Sequence, residues 1–293
     1  IQNPEHAQKW IEIFKIIKYL NSYTTICAQE KEMLIQIMDD SHVCLLNINI
    51  EKWWFEDYNS ENETLSFMTT IMVKLLHLYV PKTTMIFETI NEKLQITFKY
   101  ENKTEKIFEL PLIDIDKDLL DSQEIEGSLE CCLETKAFDK YISEMMLFGD
   151  SMEFVCYKEN LFMKSSGEEG NYSLKMPYEV LDELVIEEDL QLRTRVSLKY
   201  LYYLTKSHNV FKKIKLKIQQ DVPFHVVIEE CMFKLRYYIA PKINDDEDEK
   251  EDFGEFEDRD PMSPGKHVFF VGKLFEDDGG ESTFLNLFTM VFD

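Results

Sequence analysis

The predicted secondary structure repeats once along the chain. A helix, a group of strands, a second helix and further strands can be assigned to residues 1–113, and the same order recurs in residues 131–243. We therefore expect an α+β fold of two similar domains, each with helices on one face of antiparallel sheets. Residues 114–130, which are acidic and irregular, are expected to connect the two domains.

Residues 197–243 show the change from helical to strand periodicity most clearly. Lys199, Tyr203 and Lys206 recur at the spacing of one helix face, while leucines fill the other face. Alternation with a period of two follows in residues 214–218 and 225–229, which predicts antiparallel strands. This segment therefore combines an amphipathic helix that has an outward basic face with a strand pair.

Two further helices in the first repeat also have a basic side. Asn3 and Pro4 are typical of a helix start, and the helix that follows to about residue 20 places Lys15 and Lys18 together. The second helix, about residues 67–79, has one polar face and one apolar face. Its polar face contains Thr70, Lys74 and His77.

Composition limits the class of protein. The chain has 293 residues, 44% hydrophobic content and a net charge of −24, and it contains no apolar run long enough to cross a membrane. We expect a soluble intracellular protein without a membrane partner. The six cysteines form no C-x-x-C pair, which favours free thiols in a reducing compartment over disulfides.

The C-terminal fifty residues differ in character from the two repeats. Residues 244–260 contain eleven Asp or Glu, so residues 244–264 are predicted to be an acidic disordered linker. Two apolar runs separated by a Gly-rich turn follow, which predicts a β-hairpin in the C-terminal extension, residues 265–293.

Motifs of catalysis and cofactor binding are absent from the sequence. The six histidines show no metal-ligand spacing with one another or with cysteine. No phosphate-binding loop, dinucleotide Gly pattern, nucleophile elbow or H-E-x-x-H helix is present. We therefore predict a protein that is not an enzyme and that needs no cofactor or metal.

Three stretches resemble one known family. Residues 38–43 read Met-Asp-Asp-Ser-His-Val, residues 148–168 contain Phe-Gly-Asp, Cys-Tyr-Lys and Ser-Ser-Gly-Glu in order, and residues 198–243 end in Tyr-Tyr-Ile-Ala-Pro-Lys-Ile. These stretches resemble the proliferating cell nuclear antigen family of DNA sliding clamps. The resemblance implies a homotrimeric ring that encircles double-stranded DNA without sequence preference, tethers DNA polymerase and is placed on DNA by a clamp loader.

The resemblance also assigns roles to individual residues. The residues implied to face DNA are Lys15, Lys18, Lys74, His77, Lys140, Lys199 and Lys206. On the third helix Ser143 and Leu147 stand where the family has other polar or basic groups. Sequence-independent binding needs only phosphate contacts, and at physiological salt the acidic outer surface is screened beyond about 8 Å.

A hydrophobic pocket that receives the clamp-binding peptide of polymerases and other replication or repair proteins is the second implied site. Its implied residues are Met38, His42, Leu45, Leu120, Ile125, Pro223, Tyr238, Ala240, Pro241 and Ile243. In the connector, Ser122 and Gly127 replace an apolar and an aromatic residue of the eukaryotic clamps.

The implied ring closes by pairing of edge strands, residues 106–112 of one subunit with residues 172–176 of the next. The implied interface residues are Phe108, Leu110, Met145, Phe148, Tyr172, Leu174 and Met176. Pro111 lies in the first of these strands and cannot donate a ladder hydrogen bond. Lys158 matches the lysine that clamps use for ubiquitin-type modification.

The sequence leaves two hypotheses about the function open. The first is a closed homotrimeric clamp, located in the nucleus, or in a cytoplasmic replication site if the protein is viral. The alternative is a clamp-like monomer or mixed ring that binds replication or checkpoint partners without closing a homotrimer.

Overall fold

A computed structural model of the chain describes residues 1–115, 120, 127–181, 183–188 and 190–242, together with the backbone of residues 272–276 and 282–286. The predicted disordered linker, residues 244–264, lies outside this part. In the C-terminal extension the structure describes a hairpin of two antiparallel strands, residues 272–276 and 282–286.

Four helices and two short 3-10 turns occur in the described residues. The helices are α1 (Pro4–Leu20), α2 (Thr69–Leu76), α3 (Thr135–Met145) and α4 (Leu198–Thr205), and the 3-10 turns are Lys52–Trp54 and Tyr178–Val180. All four predicted helices are present. The second begins later than predicted because the residues before Thr69 form a strand, and it ends at Leu76. The third, which the sequence pattern predicts over residues 137–148, begins and ends two to three residues earlier.

The strands of the first repeat are β1 (Tyr23–Ala28), β2 (Glu32–Met38), β3 (Cys44–Glu51), β4 (Glu63–Met68), β5 (Thr84–Ile90), β6 (Lys93–Lys99) and β7 (Glu105–Pro111). Those of the second repeat are β8 (Leu129–Glu134), β9 (Ser151–Tyr157), β10 (Asn160–Gly167), β11 (Gly170–Pro177), β12 (Leu184–Ile186), β13 (Leu192–Ser197), β14 (Lys213–Ile218), β15 (Phe224–Glu230) and β16 (Phe233–Ile239). The C-terminal hairpin consists of β17 (Gly272–Glu276) and β18 (Ser282–Asn286). The order of elements from α1 to β7 recurs from α3 to β16, with β12 as an additional strand.

The sequence of α1 explains both where this helix begins and which side of it is buried. The Asn3 side chain accepts a hydrogen bond from the Glu5 amide at 2.9 Å, and Pro4 occupies the first helical position. The apolar side of α1 is buried, and on it Phe14 lies 6.1 Å from Phe67 between ring centroids. The helix thereby covers the interior face of the first repeat.

All paired strands are antiparallel and form three sheets besides the C-terminal hairpin. The largest has the order β12-β8-β14-β15-β16-β3-β2-β1-β4, the second β11-β10-β9-β13, and the third β5-β6-β7. Helix α1 packs against α2 and β2, and α3 packs against α4 and β8. The nine-stranded sheet is continuous across the two repeats because β16 pairs with β3.

Candidate nucleic-acid interface and partner pocket

The residues predicted to face DNA lie on the outward sides of the four helices or, for His77 and Lys206, at the C-terminal caps of α2 and α4. Lys15 is half-buried and the other six, from Lys18 to Lys206, are exposed. Helices α1 and α4 meet where the Tyr19 ring stacks on the Tyr203 ring, with centroids 4.4 Å apart. The pairs α1–α2 and α3–α4 therefore adjoin, and the basic side chains of both repeats lie on adjoining helices.

Ion pairs divide these lysines into two groups. Lys15 pairs with Glu12 at 2.7 Å, Lys206 with Asp139 at 3.1 Å, and Lys140 with Glu144 at 3.9 Å. Within the part of the chain that the structure describes, no ion pair involves Lys18, Lys74 or Lys199. The Lys199 Nζ instead lies 5.3 Å from the ring centre of Tyr200. These three lysines can contact a phosphate without first losing a carboxylate partner.

Helix α3 contains a basic residue that the sequence reasoning missed. Lys136 is exposed and precedes Lys140 by one helical turn, so the two lie on the same face. The spacing of four residues was the signal that could have identified it. Leu147, which follows α3, is 70% exposed, so an apolar side chain stands where the family has a polar one.

Lys9 of α1, by contrast, does not belong to the DNA-facing set. Its side chain is buried and bonds to Glu230 at the end of β15 and to Glu5 at 2.9 Å. Burial opposes the charge of Lys9, but the hydrogen bonds to these two carboxylates outweigh it and raise the pKa of Lys9. This lysine fastens α1 to the nine-stranded sheet.

The predicted pocket residues of three neighbouring strands form one cross-strand row. Met38 of β2 is opposite Leu45 of β3, and Leu45 is opposite Tyr238 of β16. His225 of β15 is next in the row, and its ring stacks on that of Tyr238 with centroids 4.2 Å apart. The β16–β3 pairing, which joins the two repeats, therefore also brings together the side chains predicted to form the pocket wall.

The turn between β2 and β3 carries His42, which is exposed and has a left-handed backbone with φ 58°. The buried carboxylate of Asp39 accepts hydrogen bonds from three backbone amides of this turn and from the Tyr200 hydroxyl. Burial opposes ionisation of Asp39, but the hydrogen bonds outweigh it and lower the pKa of this carboxyl below its usual range. Asp39 therefore fixes a turn that a non-glycine residue adopts only at a cost.

Four more predicted pocket residues are described by the structure. Leu120, the one described residue in the middle of the connector, is tied to β2 because its amide donates to Gln36 Oε1 at 2.7 Å and its carbonyl accepts from Gln36 Nε2 at 2.9 Å. Pro223 is exposed just before β15, and Ala240 and Pro241 are half-buried just after β16. The predicted pocket residues Ile125 and Ile243 lie outside the described residues.

The strands predicted to join subunits are both sheet edges. Strand β7 pairs only with β6, and β11 pairs only with β10, in the part of the chain that the structure describes. Pro111 is the last residue of β7, opposite Lys93. Its missing amide therefore affects the end of the edge rather than its middle.

The side chains predicted for the subunit interface fall into two groups. Leu110, Met145 and Met176 are buried within the single chain, so they support the edges from inside. The four half-buried side chains that can still be covered by a neighbour are Phe108, Phe148, Tyr172 and Leu174. Tyr172 donates to Glu144 Oε2 at 2.9 Å, and burial together with this carboxylate raises the pKa of Tyr172.

Other predicted features are also placed by the structure. Lys158 is exposed in the two-residue turn between β9 and β10, with φ 43°. The described residues contain no group of three His, Cys, Asp or Glu side chains that could hold a metal ion, and none of their helices is long and apolar enough to span a membrane. The six cysteines are free thiols.

An open concavity of about 440 Å³ lies away from all predicted site residues. It is lined by Lys31, Glu32, Glu51, Lys52 and the exposed Trp53, at the ends of β2 and β3 opposite to the Met38–Leu45 pair. Its two lysines and two glutamates balance in charge.

The structure combines helices that carry outward lysines on antiparallel sheets, a cross-strand apolar wall and two open sheet edges. These features are those of a DNA sliding clamp, a class without catalytic chemistry. The chain belongs to the proliferating cell nuclear antigen family. The family's N-terminal domain matches residues 6–120 and its C-terminal domain matches residues 123–242.

Similar proteins come from a virus and from archaea. The chain is 25% identical over 251 residues to a probable DNA polymerase sliding clamp 2 of Paramecium bursaria Chlorella virus 1, which covers 82% of the chain and 89% of that relative. It is also 25% identical to the DNA polymerase sliding clamp of Thermococcus gammatolerans, over 82% and 96% of the two chains. The crystal structure of PCNA from Thermococcus kodakaraensis shares the fold, with a TM-score of 0.74 and 17% identity over 80% and 97% of the two chains.

Proposed function

We propose that three copies of the chain close into a ring around duplex DNA and tether DNA polymerase to it. The ring also recruits other replication and repair proteins through their clamp-binding peptides, and a clamp loader opens it. The four helices line the hole, and the wall formed by Met38, Leu45 and Tyr238 receives the peptides.

The proposal rests on the contrast between a strand pair that is formed inside the chain and the equivalent two strands, which have no such partner among the described residues. By the order of the repeat, β16 corresponds to β7, and β3 corresponds to β11. Strand β16 pairs with β3 inside the chain, whereas β7 and β11 stay at sheet edges. Since unpaired edge strands expose backbone donors and acceptors, the equivalent pairing between β7 and the β11 of a neighbouring chain satisfies them.

The repeat also defines the register of this intermolecular pair. Tyr237 of β16 is opposite Leu46 of β3, and both are buried. Phe108 has the corresponding inward position in β7, and Tyr172 has it in β11, so the two aromatic rings become cross-strand neighbours. The same register places Glu105 opposite Lys175, a favourable pairing of charges.

The basic helix faces suit DNA that is held without sequence preference. Contacts between lysine and phosphate position a protein on the duplex, and the release of counterions supplies the affinity. Lys18, Lys74 and Lys199 provide such contacts in each subunit. The acidic remainder of the chain weakens this field little at physiological salt, because the Debye length is about 8 Å.

The pocket is tested with a fluorescent clamp-binding peptide from a replicative DNA polymerase. Replacing the half-buried Leu45 with arginine removes an apolar anchor and introduces a charge, so we expect peptide affinity to fall at least about tenfold. The measurement is fluorescence anisotropy at constant salt.

The matched control is Val185→Arg. Val185 is 68% exposed on β12, at one outer edge of the same sheet, and this variant should bind the peptide as the wild type does. Equal affinity of all three proteins would mean that the peptide binds elsewhere.

One observation favours a second candidate, a clamp-like protein that does not close a homotrimer. Pro111 lacks an amide at the end of β7, so this edge offers one hydrogen-bond donor fewer than a full strand. The mass in solution distinguishes the two candidates, since one protomer has 34.9 kDa. We place the ring in the nucleus, or in a cytoplasmic replication site if the protein is viral.

A further inference from the structure

One buried carboxylate holds the turn between β2 and β3. Asp39 is 5% exposed, and its Oδ1 accepts from the amides of Val43 at 2.8 Å and Cys44 at 2.7 Å. Its Oδ2 accepts from the Ser41 amide at 3.2 Å. Hydrogen bonds to a charged group are stronger than neutral ones, so the position of this carboxylate determines the path of the turn.

A residue of the other repeat holds the carboxylate itself. The Tyr200 hydroxyl donates to Asp39 Oδ2 at 2.7 Å, and Tyr200 is 5% exposed. Tyr200 lies on α4 next to Lys199, which is exposed. Of these two adjacent residues of α4, Lys199 is therefore exposed to solvent, whereas Tyr200 is buried and donates a hydrogen bond to the carboxylate that holds the turn.

The turn between β2 and β3 also holds residues of the proposed pocket in place. The Val43 carbonyl accepts a hydrogen bond from the Ala240 amide at 2.8 Å, which fastens the segment after β16. The Asn21 side chain, at the end of α1, donates to the Met38 carbonyl at 3.1 Å. His42, Met38 and Ala240 therefore take their positions from bonds that converge on this turn.

We propose that Tyr200 is a positioning residue of the peptide pocket, which it serves by orienting Asp39 and so fixing the turn that carries His42 and holds Ala240. This inference rests on the proposed function of the pocket. The tyrosine does not touch the peptide. It determines how well the pocket is formed before the peptide arrives, and preformed sites bind more tightly because less ordering is needed on binding.

The test is Tyr200→Phe in the full-length chain. It removes the hydroxyl and keeps the ring, so we expect the affinity for a polymerase clamp-binding peptide to fall roughly three- to tenfold, which is less than the full effect of losing a hydrogen bond to a charged group because Tyr200 acts on the pocket only through the turn. The amides of Val43 and Cys44 should exchange with solvent faster than in the wild type. Asp39→Asn, which keeps the shape but weakens the acceptor, should change both quantities in the same direction.

The control is Tyr58→Phe. The Tyr58 hydroxyl donates to the carbonyls of Gln29 at 2.8 Å and Glu32 at 3.0 Å, at the opposite end of β2. Its loss should leave peptide affinity and the exchange of both turn amides unchanged.

The outcomes separate this inference from the function on which it rests. If the wild type binds the peptide and Tyr200→Phe binds it equally well, or if the turn amides exchange at the wild-type rate, the positioning role is refuted and the pocket remains. If the wild type itself does not bind the peptide, the proposed pocket is refuted and the positioning role with it.

Discussion

Replacing Lys74 and Lys199 together with glutamate is expected to lower the affinity for duplex DNA at least about a hundredfold at about 0.1 M salt. Both side chains are exposed on the helix faces and have no carboxylate partner among the described residues, so they contribute fully to counterion release. In a trimer the change removes these contacts from three subunits and adds repulsion. Affinity measured over a salt series should also show a shallower dependence on salt.

The control changes the same number of charges away from the helices. Lys31 and Lys103 are exposed in turns between strands, and their replacement by glutamate gives the same net charge as the helix variant. We expect this pair to bind DNA nearly as the wild type does. An equal loss in both variants would show that bulk charge, rather than the helix faces, determines binding.

Phe108→Asp is expected to convert the proposed trimer into monomers. Phe108 is half-buried on β7, where its ring lies 5.7 Å from that of Phe98, and the neighbouring subunit's β11 completes its cover in the proposed ring. Burying an unpaired carboxylate costs several kcal/mol at each of the three interfaces. The mass from light scattering should fall to that of one protomer, 34.9 kDa.

The adjacent residue provides the control. Ile107 is 56% exposed on the opposite face of the same strand, so Ile107→Asp introduces the same charge without burying it. This variant should remain a trimer, and circular dichroism should show that both variants are folded. A trimeric Phe108→Asp protein would place the subunit contact elsewhere.

The sequence predicted those features that depend on local pattern. The start of α1 followed from Asn3 and Pro4, and the outward lysines of α1, α2 and α4 followed from helical spacing, because both depend on residues within a few positions of one another. The tight turn between β5 and β6, in which Asn91 and Glu92 have positive φ, likewise depends on residues that are close together in the chain.

Contacts between distant residues could not be predicted in this way. Nothing in the local pattern indicates that β16 pairs with β3 or that Tyr200 bonds to Asp39, because these partners are joined only by the tertiary fold. The same holds for the ion pair of Lys206 with Asp139, which joins α4 to α3. The ion pair of Lys15 with Glu12 is different, because these residues are three positions apart on α1 and their spacing is a local signal.

Burial also limited the prediction of the subunit interface. Leu110, Met145 and Met176 were assigned to it by resemblance, and in the single chain their side chains are already buried. An apolar residue on an edge strand can face the core of its own chain or a neighbouring subunit, and sequence alternation does not distinguish these cases. The equivalence of β7 and β16 in the two repeats helps to distinguish these cases, because β16 pairs with β3 within the chain and shows which residues of β7 face inward.

Threading onto blocked DNA tests most directly whether the protein is a ring around the duplex. A linear duplex with biotin at both ends is incubated with the protein, streptavidin is added either afterwards or beforehand, and the DNA is washed in about 1 M salt, where the Debye length is about 3 Å. We predict that protein is retained only when the ends are blocked after it has been added. Equal retention in both orders, or none in either, would contradict a closed ring around DNA.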